Sequence, residues 1–118
     1  MDEAVSRAIN AFKIGNPICL FDSENREGET DLLFPAQFAQ PATMRQLRKD
    51  CGGLLFLAIG HDIGELFSLP FLQDLHTHPA LVADNLVLKE LVTNDLRYDS
   101  RSAFTLSLNH RGTYTGIT

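Results

Sequence analysis

Ten residues, Asp22-Ser23-Glu24-Asn25-Arg26-Glu27-Gly28-Glu29-Thr30-Asp31, lie between two short apolar runs, Ile18-Cys19-Leu20-Phe21 and Leu32-Leu33-Phe34. Apolar runs bounded by a polar cluster read as two strands joined by a loop. The loop holds five acids, one arginine and one glycine. Charge clusters are usually solvated, so a water-facing hairpin loop is one reading. The order of the residues opens a second. In an extended backbone Glu27, Glu29 and Asp31 alternate and point to one side. Three gathered carboxylates repel one another unless a cation sits among them. Hard oxygen donors in that pattern suit Mg²⁺ or Mn²⁺. Arg26 offers a planar cation that can orient a hydroxylated or phosphorylated anion.

The rest of the chain bounds the alternatives. A length of 118 residues, with 44% hydrophobic and 21% charged, predicts one globular domain, residues 1–118, with its own core. A net charge of −5 argues against a nucleic-acid-binding face. No apolar run approaches a membrane span, and the N-terminus is acidic and amphipathic, unlike a signal peptide. Cys19 and Cys51 lack CxxC spacing and are expected as free, buried thiols of a cytoplasmic protein.

Local patterns give the elements. Asp2 is placed to cap a first helix bearing Val5, Ala8, Ile9 and Phe12 on one face, with Gly15 and Pro17 to end it. Pro41 and Thr43 mark a second helix start. Met44, Leu47 and Cys51 recur at helical spacing, and Arg45, Arg48 and Lys49 lie around the polar side. That basic face reads as solvated or as a phosphate site. Leu54 to Ile59 is a continuous apolar run, the pattern of a central strand covered on both faces. Gly60-His61-Asp62 turns into a short helical stretch with Glu65 and Leu66, and a rigid Leu69-Pro70-Phe71 segment follows.

His76 and His78 form an HxH pair, which can bind zinc from a strand. No third ligand stands at a recognisable spacing, and Pro79 follows, so a loop or helix-entry pair is the competing reading. Leu81 to Leu91 is expected as a helix closed by Asn94-Asp95. Ala103 to Leu108 alternates: Phe104, Leu106 and Leu108 on one face, Ala103, Thr105 and Ser107 on the other. Asn109 to Gly112 reads as a turn with glycine at positive φ, and Thr113 to Thr115 as a returning strand.

From Arg26-Glu27-Gly28-Glu29-Thr30-Asp31-Leu32 the chain resembles the acidic signature loop of 3,4-dihydroxy-2-butanone 4-phosphate synthase, in its archaeal form. The resemblance continues through Lys49-Asp50-Cys51-Gly52-Gly53-Leu54, Leu69-Pro70-Phe71, the segment from Ser102 to Arg111, and Tyr114-Thr115-Gly116-Ile117-Thr118. It implies a lyase of riboflavin biosynthesis that converts D-ribulose 5-phosphate to 3,4-dihydroxy-2-butanone 4-phosphate and formate. It also implies a cytoplasmic homodimer that uses Mg²⁺ or Mn²⁺. By position, Glu27 is a metal ligand, Arg26 and Asp31 contact substrate, and Glu29 and Asp31 take part in acid–base work. Thr105 and Thr115 are substrate contacts. The implied fold is a layered α/β (α+β) sandwich, with a mixed, mainly antiparallel sheet flanked by helices.

Two departures qualify the resemblance. Phe56 stands where family members carry a cysteine that lines the site. The family domain is nearly twice this length, and its second half supplies an Arg-x-Gly-His-Thr segment and a further glutamate. The expectation is therefore an N-terminal portion of the family domain, truncated and catalytically incomplete alone. The alternatives are a non-catalytic phosphosugar- or metal-binding relative, or a piece that assembles with another chain.

Overall fold

The structure, a computed structural model, describes residues 2–92 and 96–113. The chain forms two compact units, Met1–Ala58 and Ile59–Thr118.

In the first unit, helix α1 (Glu3–Lys13) starts where the Asp2 side chain accepts a 2.7 Å hydrogen bond from the Ala4 N–H. That bond satisfies one of the donors every helix N-terminus leaves open. The helix ends in a Schellman motif, with Gly15 N–H donating to Phe12 O at 3.1 Å and Asn16 N–H to Ala11 O at 3.0 Å. Gly15 takes φ +88°, the left-handed conformation this motif needs. A β-carbon there would sit 3.0 Å from the Phe38 ring, so the site requires glycine for space as well as for backbone angle.

Strands β1 (Ile18–Phe21) and β2 (Thr30–Leu33) pair antiparallel, with Ile18 opposite Leu33 and Phe21 opposite Thr30. A 3₁₀ turn, Ala36–Phe38, leads to α2 (Pro41–Asp50). Pro41 occupies the first helical position, where its missing N–H costs nothing. Met44 and Leu47 are half-buried, while Arg45, Arg48 and Lys49 face water, as the helical spacing predicted.

In the second unit, α3 (His61–Leu66) is followed by α4 (Leu72–Thr77) and α5 (Pro79–Asp84). Helix α3 also closes with a Schellman motif: Ser68 N–H donates to Glu65 O and Leu69 N–H to Gly64 O, both at 3.0 Å. Here the left-handed position is Ser68, at φ 50°. The segment after residue 100 is tied to α4. Arg101 meets Asp74 at 3.2 Å and lies 4.4 Å over the Phe71 ring, and the Leu72 N–H donates to Phe104 O at 2.8 Å.

The molecule is a mixed α/β structure, as expected, but among the described residues its sheet has two strands. Leu54 to Ile59 forms no strand, and all six side chains are exposed, Leu54 to 76%. The run is apolar enough for a sheet interior. A strand exists only as part of a ladder, and the ladder among the described residues is β1–β2.

Ala103 to Leu108 forms no strand either. Its alternation does not sort by burial: Phe104, Leu106 and Leu108 are exposed and Thr105 is half-buried. The backbone of this segment serves a helix start instead, through the Phe104 carbonyl. The expected helix from Leu81 to Leu91 is interrupted at Asn85, after which Leu86–Leu91 is 3₁₀. The Asn85 amide donates to Leu81 O at 3.0 Å, taking the carbonyl a continuing α-helix would use.

The turn after Asn109 does form, closed by Thr113 N–H to His110 O at 2.9 Å. Gly112 has no positive φ there. A β-carbon there would lie 3.1 Å from the His110 ring, which would have to shift by a few tenths of an ångström to admit it. The expected features at Asn94-Asp95 and Tyr114 to Thr118 lie outside the described residues. Cys19 and Cys51 are free, as expected, but exposed rather than buried. Val82, 8% exposed, and Pro35 are the buried residues among those described.

Candidate functional site

The acidic loop of the first unit is closed by hydrogen bonds, and one side chain makes three of them. Asp22, the first residue after β1, directs its carboxylate across the loop. Oδ1 accepts from the Ser23 N–H and, at 3.1 Å, from the Glu29 N–H. Oδ2 accepts from the Glu27 N–H at 2.9 Å. The backbone closes the same circle. Asp22 N–H donates to Glu29 O at 3.2 Å, and the N–H groups of Arg26 and Gly28 each donate to Ser23 O at 3.1 Å. Gly28 takes φ +67°, which turns the chain so that the N–H groups on either side of it converge on one carboxylate.

The electrostatics follow from these contacts. Desolvation pushes the Asp22 carboxyl upward. The N–H groups of Ser23, Glu27 and Glu29 outweigh it, with help from the Arg26 guanidinium, and hold the group below the usual carboxylate range. Asp22 is therefore a charged, loop-organising anion at neutral pH. It was not singled out in the sequence as a site residue. The available signal was an acid at the first loop position, seven residues before a second acid, with glycine between them.

The expected site residues fall as follows. Arg26 and Glu27 lie in the turn, and Glu29 lies just before β2. Asp31 is within β2, opposite Leu20, and is exposed. The extended geometry that would align Glu27, Glu29 and Asp31 begins only at Thr30, because Glu27 is in a turn and Gly28 is left-handed. Thr105 belongs to the second unit, where it is half-buried. Thr115 lies outside the described residues.

Among the described residues, no three His, Cys, Asp or Glu side chains stand close enough to hold a metal ion. The acidic loop does not by itself fit a divalent cation. His76 lies in the last turn of α4, and His78 is both the C-cap of α4 and the N-cap of α5. Phe56, 65% exposed, lies in the apolar run after the double glycine. No helix among the described residues is long and apolar enough to cross a membrane.

Comparison with known proteins supplies the context for this loop. Residues 6–118 match the 3,4-dihydroxy-2-butanone 4-phosphate synthase family. The chain is 39% identical over 116 residues to the 3,4-dihydroxy-2-butanone 4-phosphate synthase of Methanosarcina mazei, covering 98% of this chain and 47% of that protein. Against the enzyme of the same name from Archaeoglobus fulgidus it is 39% identical over 113 residues, covering 94% of this chain and 46% of the relative. A relative from Methanothermobacter thermautotrophicus is 34% identical over 114 residues, covering 97% and 49%. The chain thus spans about half the length of the curated relatives it matches.

Proposed function

Because the chain belongs to the 3,4-dihydroxy-2-butanone 4-phosphate synthase family, we propose that it supplies the acidic-loop part of an active site that converts D-ribulose 5-phosphate to 3,4-dihydroxy-2-butanone 4-phosphate and formate. The observation that carries this reading is the family match over residues 6–118, with an acidic loop held in a defined shape by Asp22. The reaction removes a proton beside a carbonyl and later returns protons to the products. A carboxylate within reach of the sugar performs both transfers.

In this proposal Glu29 and Asp31, on either side of Thr30, move the protons. Arg26 binds an oxygen of the anionic sugar phosphate, a role suited to its fixed fork of donors. Thr105 and Thr115 are further substrate contacts. Glu27 is one donor to Mg²⁺ or Mn²⁺, with the remaining donors coming from outside the described residues. The protein acts in the cytoplasm as a homodimer and has neither a nucleic-acid nor a membrane partner. Residues 1–118 serve as the N-terminal portion of one family domain and are incomplete alone, in keeping with relatives of about twice the length.

The test is formate release from ribulose 5-phosphate, with Mg²⁺ and with EDTA, by the 118-residue chain and by the chain supplemented with the second half of a family domain. Metal-dependent turnover only in the supplemented sample is expected. Turnover by the chain alone would overturn the incompleteness, and no turnover in either would overturn the lyase reading. A second reading, a phosphosugar-binding relative without catalysis, is favoured by Phe56, an exposed aromatic where family members carry a cysteine. It predicts ribulose 5-phosphate binding in both samples and formate in neither.

A further inference from the structure

The Asp22 carboxylate uses both oxygens, and it uses them on the backbone of two residues placed in the chemistry above. Oδ2 takes the Glu27 N–H at 2.9 Å and Oδ1 the Glu29 N–H at 3.1 Å. Between them Gly28 sits at φ +67° with its own N–H turned away to Ser23 O at 3.1 Å. Successive N–H groups curved around one anion form a nest, a device proteins use to grip phosphates and carboxylates. Here the gripped anion is the chain's own. A carboxylate is rigid and planar, so gripping it by both oxygens fixes the spacing of the two donors and, with it, the Cα positions of Glu27 and Glu29.

We propose that Asp22 is a positioning residue, whose carboxylate holds Glu27 and Glu29 in the relative placement the site needs without itself touching substrate. The inference rests on the proposed function for what those glutamates do. Its geometric part stands on the hydrogen bonds alone. Asp22 is poorly placed to act directly, because its two oxygens are already committed to three N–H groups. Its partners lie one, five and seven residues along the chain, so a single side chain spans the loop and adds to the backbone bonds that close it.

The test has two arms. In the first, amide hydrogen exchange is followed by NMR in the 118-residue chain and in its Asp22→Asn variant, which keeps one accepting oxygen where two are used. Exchange at Glu27 and Glu29 is expected to accelerate about tenfold, the loss of a modest hydrogen bond, while the amides of α1 stay unchanged. Unchanged exchange at both glutamates overturns the proposal. Should Asp22→Asn also expose α1, Gly28→Ala replaces it. A β-carbon at Gly28 meets nothing within 4 Å, so that variant strains only the turn. It is expected to loosen the same two amides, and their being unmoved counts against the proposal.

In the second arm, turnover is measured with the second half of a family domain supplied. Asp22→Asn is expected to lower kcat by about tenfold or more with KM changed less than about threefold, as misplaced reacting groups do. Asp22→Glu, too long for the same grip, is expected not to restore it. Equal kcat in wild type and Asp22→Asn overturns the positioning role. Wild type inactive in this arm is a failure of the lyase reading, and the exchange arm then decides the proposal by itself.

Discussion

Asp22 and Glu29 are joined twice: the Asp22 N–H donates to the Glu29 carbonyl at 3.2 Å, and the Glu29 N–H returns a 3.1 Å bond to Asp22 Oδ1. The first bond extends the β1–β2 ladder by one step. The second belongs to a side chain and carries charge. Their pH dependence therefore differs. A carboxyl held below its usual value of 3.8 contributes stability that is fully present above that value and is lost as pH falls through the lower folded value. The thermal midpoints of wild type and Asp22→Asn are expected to differ at pH 6 to 7 and to converge as the solution is acidified below about 3.8. A constant gap down to pH 2 would show that the charge contributes nothing.

The two Schellman motifs make opposite predictions. Gly15→Ala places a β-carbon at φ +88° and 3.0 Å from Phe38, with both strain and crowding against it. It is expected to destabilise the first unit by about 1–2 kcal/mol in urea unfolding. Gly53→Ala, at a site with nothing within 4 Å and no positive φ, is the matched control and is expected to be near neutral.

Ser68 occupies the equivalent left-handed position after α3, at φ 50°. Only glycine adopts that angle without cost, so Ser68→Gly is expected to stabilise the second unit by roughly 0.5–1 kcal/mol. The gain is limited because glycine also frees the unfolded chain. Urea midpoints of the two forms check it, and a loss of stability would show that the Ser68 side chain contributes more than its backbone strain removes.

Glu29→Gln removes a carboxylate while keeping the side-chain shape and the backbone N–H that binds Asp22. In the supplemented turnover assay kcat is expected to fall by about 10²–10⁴-fold, the range for loss of a general acid–base group. Amide exchange at Glu29 is expected to stay as in wild type. That pattern separates a chemical role from a structural one.

The apolar run from Leu54 to Ile59 has physical consequences for the 118-residue chain. Leu54 is 76% exposed, and Leu57 is also exposed, in a continuous apolar stretch with no charge. Contiguous exposed apolar surface of this kind promotes association. Sedimentation is expected to show concentration-dependent self-association, and Leu57→Lys to reduce it. Monodisperse monomer at all concentrations would remove this run as the cause.

What the sequence determined by itself was local. Asp2 and Gly15 bound α1 because a cap and a left-handed glycine act within one helical turn. Two apolar runs with an acidic cluster between them suffice for a hairpin, because a hairpin's partners are adjacent in the chain. The order of Arg26, Glu27, Glu29 and Asp31 pointed to the family that the comparison then bore out. Tertiary structure decided what needs a partner from further away. The apolar pattern at Leu54 to Ile59 describes a strand, but a strand requires a neighbour that periodicity cannot supply. Residues 103–108 give their Phe104 carbonyl to the start of α4 instead of a ladder. Helix α5 stops at Asn85 because a side-chain amide captures the Leu81 carbonyl, a competition that hydrophobic spacing does not register. The shape of the acidic loop belongs to the same class. Carboxylates alternate by sequence, but the grip of Asp22 on the N–H groups of Glu27 and Glu29, with Gly28 turned left-handed between them, sets where those carboxylates begin.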